Sequence, residues 1–238
     1  MTAASHASTL VIGCGALGRE LVELTRRNGL GSIEIRCLPA SLHNRPGGIP
    51  AAVDAKLREA KASGRYERVF VAYGDCGTGG ALDRVLDAHS VERLPGAHCY
   101  AAFAGLDAFD RLADEEPGTF YLTDFLARSF DSLVIRGLGL DRHPELLGLY
   151  FAGYRRLVYL SQREDPALLA MAKAAATRLG LAFEHRPTGY GELGTAMARL
   201  AAPPTGAADD TAVAEDGGID DEIDDVADDP ADVAAVAA

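Results

Sequence analysis

The chain has 238 residues, 48% of them hydrophobic, and a formal net charge of −12 at pH 7, which is enough apolar material for one or at most two self-folding domains. Twelve of the acids lie between Pro203 and Ala238, a stretch without Lys or Arg, so the body carries 23 acids against 23 bases. A neutral body with an acidic end lacks the basic face of a nucleic-acid binder, and no segment approaches the roughly 18 to 20 apolar residues of a membrane span.

In chain order, "MTAASHAS" has neither the basic flank nor the apolar core of a secretory signal. Residues 1–8 read as a flexible N-terminus, and the expected location is the cytoplasm. "STLVIGC" reads as a strand, "GRELVELTRRNG" as an amphipathic helix ending at Gly29, "SIEIRCLP" as a second strand, and "PAAVDAKLREAKASG" as a helix with Pro50 near its first turn. The strand "RVFVAYG", the helix "GALDRVLDAH" and the short strand "VERLPG" follow. Residues 101–153 read as mostly helical, with "TFYLTD" the one extended candidate. Then come the strand "RRLVYLSQ", the helix "DPALLAMAKAAATRLG" capped by Asp165, the strand "LAFEHRP" and the closing helix "YGELGTAMARL". Such alternation predicts a Rossmann-like α/β fold: one domain over residues 9–202 with a mostly parallel sheet under layered helices and a helical middle segment. The tail over 203–238, rich in Ala and Asp and without an aromatic residue, is expected to be disordered, as a solubilising appendage or a docking tail for a basic partner.

In parallel sheets ligands lie outside the carboxyl ends of the strands. All four cysteines fall there by prediction: Cys14, Cys37, Cys76 and Cys99, each at or just past a strand end. Cys14 opens "CGALG" and Cys76 opens "CGTGG", and each has another cysteine 23 residues on, a sign of two similar strand-helix-strand units. Helix-start amides and the positive end of the macrodipole favour a thiolate, the form that binds metal or attacks. Buried cysteine is also a common small core residue. No Cys-x-x-Cys pair is present, so a metal site would have to be assembled by the fold.

"GCGALG" also fits the dinucleotide fingerprint through Gly13, Gly15 and Gly18. The acid that should bind a ribose at the end of the second strand is absent; Arg36 and Cys37 stand there, and Arg36 suits a 2′-phosphate instead. Gly77, Gly79 and Gly80 form a second glycine loop. Further polar groups gather at the same predicted edge: His43, Asn44 and Arg45; Asp75 beside Cys76; His98 beside Cys99; Asp141, Arg142 and His143; and Arg186, Thr188 and Tyr190. His98 and His43 are candidate ligands or proton carriers, and Asp141 reads best as a helix cap.

"YGDCGTGG", "PGAHCY", "EPGTFYLTDF", "IRGLGLDRHPEL" and "TGYGEL", in this order, resemble the prokaryotic family catalogued as domain of unknown function 1638, over roughly Leu10 to Leu193. The resemblance implies a place beside corrinoid-dependent methyltransferases for methylated amines, their corrinoid proteins and reductive activases, with thiols matching Cys14, Cys76 and Cys99. The family's first motif often lacks the full glycine fingerprint, which counts against a dinucleotide, and Cys37 is not carried over.

The leading expectation is a metal-binding protein of one-carbon metabolism, holding an iron–sulfur cluster or zinc through Cys14, Cys76 and Cys99, with His98 as a possible fourth ligand and a small-molecule substrate. A non-catalytic accessory protein that binds a corrinoid, a folate-like ligand or a methyltransferase subunit is the alternative. A nucleotide-dependent oxidoreductase using Gly13, Gly15 and Gly18 is a third. In a fourth, Cys76 is a nucleophile, His98 its base and Asp75 an auxiliary catalytic group.

Overall fold

A computed structural model describes residues 9–201, the side chains of His43 and Asn44 excepted. The expected flexible N-terminus, the expected acidic tail and the side chain of the candidate His43 lie outside the described residues.

β1 (Thr9–Cys14) is buried along its whole length, as an apolar six-residue run requires of a central strand. One 3₁₀ turn leads into α1 (Gly18–Arg27), which buries Leu21 and Leu24 and places Arg26 and Arg27 in its last turn, beside the negative end of the helix dipole. β2 (Ile33–Leu38) follows, then α2 (Ile49–Ser63), which carries Pro50 in its first turn and ends at Gly64 in the left-handed conformation. β3 (Arg68–Ala72), α3 (Ala81–His89) and a two-residue β4 (Glu92–Arg93) complete a parallel sheet of order β2-β1-β3-β4.

α4 (Cys99–Ala104) and α5 (Leu106–Glu115) lead to β5 (Thr119–Leu122), the strand expected at "TFYLTD". After α6 (Asp124–Arg128), a π-helical stretch over Asp131–Arg136 and the short α7 (Leu147–Tyr150), β6 (Arg156–Ser161), α8 (Pro166–Leu179), β7 (Ala182–Pro187) and α9 (Gly191–Ala201) close the fold. β5, β6 and β7 form a second parallel sheet in that order.

The α/β architecture and the parallel pairing match expectation, but the strands divide between two sheets. The break falls at β4, where "VERLPG" yields only two paired residues. Pro95 lacks the N–H that a ladder needs, and the Arg93 guanidinium donates to the carbonyls of Leu94 and Gly96 at 2.7 and 3.3 Å. The Gly96 carbonyl also accepts from the Asp75 amide at 3.0 Å, so the chain beyond β4 is held by a side chain and by the loop after β3. Asp165 caps α8 as expected, accepting from the amides of Ala167 and Leu168. Asp141 does not act as a cap: it is exposed, and the turn beyond it starts at Pro144 with His143 in the cap position and no side-chain cap bond.

Two elements hold the sheets together. α4 contributes Ala102 and Phe103 to the core of the first sheet, and Ala101 to a cluster with Val158 and Leu160 of β6. α9 follows the last strand yet returns to the first sheet, burying Leu193, Ala196 and Met197 there. A Cβ on Gly191 would stand 2.3 Å from the Phe103 carbonyl, so only glycine lets α9 start this close to α4. Across the same junction Arg128 of α6 pairs with Glu20 of α1 at 3.2 Å. No helix among the described residues is long and apolar enough to cross a membrane.

Candidate functional site

In the first sheet β1 lies between β2 and β3, so the connections leaving the ends of β1 and β3 diverge to opposite sides and open a crevice between them. Cys14 is the last residue of β1 and forms one lip. The loop Tyr73–Gly80, leaving β3, forms the other.

That loop is fastened at both ends. The amides of Asp75 and Cys76 donate to the carbonyls of Gly96 and Ala97 at 3.0 and 2.7 Å, which ties it to the segment before Cys99. A Cβ on Gly74 would lie 3.1 Å from Gly96 O and His98 N, so glycine is what permits this contact. The Asp75 carboxylate accepts from Thr78 Oγ1 (2.7 Å), Gly79 N (3.1 Å) and Gly80 N (2.8 Å). These bonds, that from Gly80 first, hold its carboxyl below the usual range. Asp75, expected as a candidate catalytic group, is instead committed to closing the loop. Gly77, Gly79 and Gly80 all have positive φ and supply the reversal that Asp75 closes. Between Asp75 and these glycines sits Cys76 at φ +50°, one of two non-glycine residues in the left-handed region among those described. The other, Ser90, ends α3. A Cβ in this conformation costs roughly 1 to 2 kcal/mol, and such strain concentrates at functional positions.

Cys14 is buried, and Cys76 and Cys99 are half-buried. Burial pushes all three thiols up, Cys76 to about 12. After burial, the next cause acting on Cys76 is the charge of Cys14, and on Cys99 the charges of Cys76 and Cys14. The three thiols therefore lie within electrostatic reach of one another. The expected lowering by helix-start amides is present only as a lesser effect, from the Ala16 N–H on Cys14 and from the amide of Cys99 itself at the start of α4; desolvation outweighs it. The proposed repeat does not extend to structure, because Cys14 ends a strand beside a helix start, Cys76 is four residues past its strand, Cys37 lies within β2, and Cys99 opens α4.

Two groups that the sequence reading missed complete the crevice. Tyr73 is fully buried and its hydroxyl makes no hydrogen bond of ordinary geometry. Its polar neighbour is the Cys14 thiol, and burial followed by the thiol charges drives the phenol strongly upward. Glu20, 5% exposed, gives one carboxylate oxygen to Arg128 and leaves Oε2 without a partner. Burial raises its carboxyl, and its charge bears on Cys99. One signal was visible: Glu20 occupies a place on the apolar stripe Leu17, Leu21, Leu24, where a charge has no packing reason to be.

The other candidates divide. The His98 ring packs edge-on against Phe109 and Tyr100, at centroid distances of 4.8 and 5.2 Å. Among the described residues no three His, Cys, Asp or Glu side chains form a group placed to hold a metal ion. The glycine fingerprint has an internal explanation. A Cβ on Gly13 would meet Leu21 Cδ1 at 2.5 Å, one on Gly15 the Leu38 carbonyl at 3.0 Å, and one on Gly18 the Cys37 sulfur at 3.4 Å. Those approaches are of the protein to itself. Cys37 fills the notch, and burial of its sulfur pushes the thiol up to about 11 although the residue as a whole is exposed. Arg36 is already engaged by Glu34, Glu59 and Tyr66 at 2.7, 2.7 and 3.0 Å, leaving it ill placed for a 2′-phosphate. Arg142 and His143 are exposed, Arg186 pairs with Glu184, Thr188 donates to the Ser161 carbonyl at 3.2 Å, and Tyr190 lies under Arg27 at 5.4 Å.

A family model described as a protein of unknown function, DUF1638, matches residues 37–197. The match takes in Cys37, Cys76, His98 and Cys99 and leaves Cys14 outside. No curated protein and no solved structure matches the chain. With well over half of its length matched, the chain belongs to the DUF1638 family.

Proposed function

We propose that the crevice between β1 and β3 is a thiolate metal site, with Cys14, Cys76 and Cys99 as ligands. The observation that carries this reading is the mutual electrostatic reach of three thiols from three separate segments, one of them held in a strained conformation. Partnerless buried oxygens of Tyr73 and Glu20 beside them support it, because such groups are rare without a ligand or water to satisfy them.

The donor set fits a soft or borderline metal in kind: sulfur selects zinc or iron–sulfur clusters over harder cations. It is not preassembled, so ligation requires the side chains to leave the positions they hold. A bound metal would supply a Lewis acid or an electron relay. The chain's own contribution is a loop locked by Asp75. Raised thiols argue against Cys76 as a free nucleophile, since the thiolate is scarce near neutral pH without a cation to favour it. We place the site in one-carbon metabolism of methylated amines, beside a corrinoid protein or methyltransferase; that placement rests on the family resemblance alone.

The test is metal and acid-labile sulfide analysis, with an ultraviolet-visible spectrum, on anaerobically purified protein. Iron with sulfide, or zinc, reduced in the Cys14→Ala, Cys76→Ala and Cys99→Ala variants, is the expected result. Metal-free protein, or metal content unchanged by Cys76→Ala, overturns the reading.

A further inference from the structure

The second sheet carries chemistry that the thiol site does not use. Tyr159 and Ser161 lie two residues apart on β6 and so share one face; the register sets His185 of β7 directly opposite Tyr159. The imidazole stacks on the Tyr159 ring at 5.2 Å and 16°, and its Nε2 stands 2.9 Å from Ser161 Oγ. Tyr159 is itself fixed from behind, donating from its hydroxyl to the buried Asp124 at 2.7 Å. Serine and imidazole thus meet in hydrogen-bond contact on a rigid support, at the carboxyl end of a central strand.

They also face space. A cavity of about 410 Å³ opens over them, walled by Gln162, Arg163, Pro166, Leu169 and Pro187. Pro166, Leu169 and Pro187 offer an apolar surface, and the partly exposed Arg163 brings a guanidinium to the wall, held by Asp165 at 3.2 Å and Asp124 at 3.8 Å. A hydrogen bond serving only to join two strands needs neither a cavity nor a cation at its side.

We infer that Ser161 and His185 are a nucleophile and general base for small carboxylic esters bound in this cavity. His185 Nε2 takes the Ser161 proton as Oγ bonds to the ester carbonyl carbon, and Arg163 is the nearby cation for the negative oxygen that forms. Collapse of that intermediate breaks the bond to the alcohol oxygen, which leaves with the proton from His185. Water, deprotonated by the same imidazole, then attacks the acyl-serine; the acid departs and Oγ regains its proton. No oxidant, reductant or further reactant enters the sequence.

The full chain treated with a fluorophosphonate probe tests the pair, with the adduct located by peptide mass and 4-nitrophenyl acetate followed in parallel. The expected result is an adduct on Ser161 and ester turnover, both lost in Ser161→Ala and slowed on the order of a hundredfold in His185→Gln. Met171→Ala, at an exposed position of α8 outside the cavity wall, leaves both unchanged, which ties the losses to Ser161 and His185. A folded protein with no adduct on Ser161, labelling at the same rate in His185→Gln, or ester turnover that survives Ser161→Ala overturns the inference.

Discussion

At the carboxyl edge of the first sheet, Tyr73 Oη and Glu20 Oε2 are buried without hydrogen-bond partners beside three thiols. At the edge of the second sheet, Asp124, Tyr159 and Gln162 are equally buried, yet they satisfy one another: Tyr159 donates to Asp124, Asp124 accepts from the Gln162 amide at 3.2 Å, and the Asp124 amide donates to Gln162 Oε1 at 2.7 Å. A closed network of this kind is structural glue, whereas open valences in a dry place mark where another group belongs. Around Asp124 the buried groups are satisfied within the fold, whereas beside the thiols two oxygens stand open.

Breaking the closed network should cost most. Asp124→Ala leaves a buried phenol and a buried amide without an acceptor and is expected to lower stability by about 4 kcal/mol, read from denaturant unfolding. A loss below 1 kcal/mol would erase the contrast between the two edges. Asp75→Ala, which frees three donors in a more exposed loop, should cost about 2 kcal/mol and diminish metal uptake along with stability.

Alkali sharpens the contrast from the other side. Burial raises the folded thiols of the first edge above the ordinary range of a free cysteine, to about 11 for Cys37 and about 12 for Cys76. The unfolded chain therefore loses these protons first. Their contribution to stability is complete below pH 9 and declines as pH rises toward 12, by up to about 1.4 kcal/mol per pH unit for each thiol. Unfolding of metal-free protein between pH 8 and 11 reads this slope, which Cys76→Ala should flatten. The smallest effect is the most diagnostic of strain. Cys76→Gly should be more stable than Cys76→Ala by about 1 kcal/mol, since glycine alone accepts φ +50° without a Cβ penalty. Equal stability of the two variants would remove the case that strain is stored at this thiol.

Much of the fold was legible. Hydrophobic runs, Pro50, Asp165 and the closing glycines locate nearly every strand and helix, because each signal is local. The division into two sheets was not, since β4 stops where the Arg93 guanidinium folds back onto the Leu94 and Gly96 carbonyls, and residue types alone do not say which way that side chain turns. Of the site, the positions of Cys14 and Cys76 on either side of the β1–β3 crevice followed from strand ends alone. The role of Asp75 and the packing role of Gly13, Gly15 and Gly18 did not, because a fingerprint records which residues are small and not what approaches them. The facing of Ser161 and His185 was invisible for a different reason: strand register joins residues 24 apart, and nothing in either segment names the other.

X-ray absorption at the metal edge, on anaerobically purified protein and on Cys76→Ala, tests the thiol site most directly. Three sulfur ligands from the chain at about 2.3 Å for zinc, or the sulfur shell of an iron–sulfur cluster, with fewer protein sulfurs or no metal in the variant, is the expected result. A shell of nitrogen and oxygen alone, or an unchanged sulfur count without Cys76, would contradict it and return the crevice thiols to a packing role.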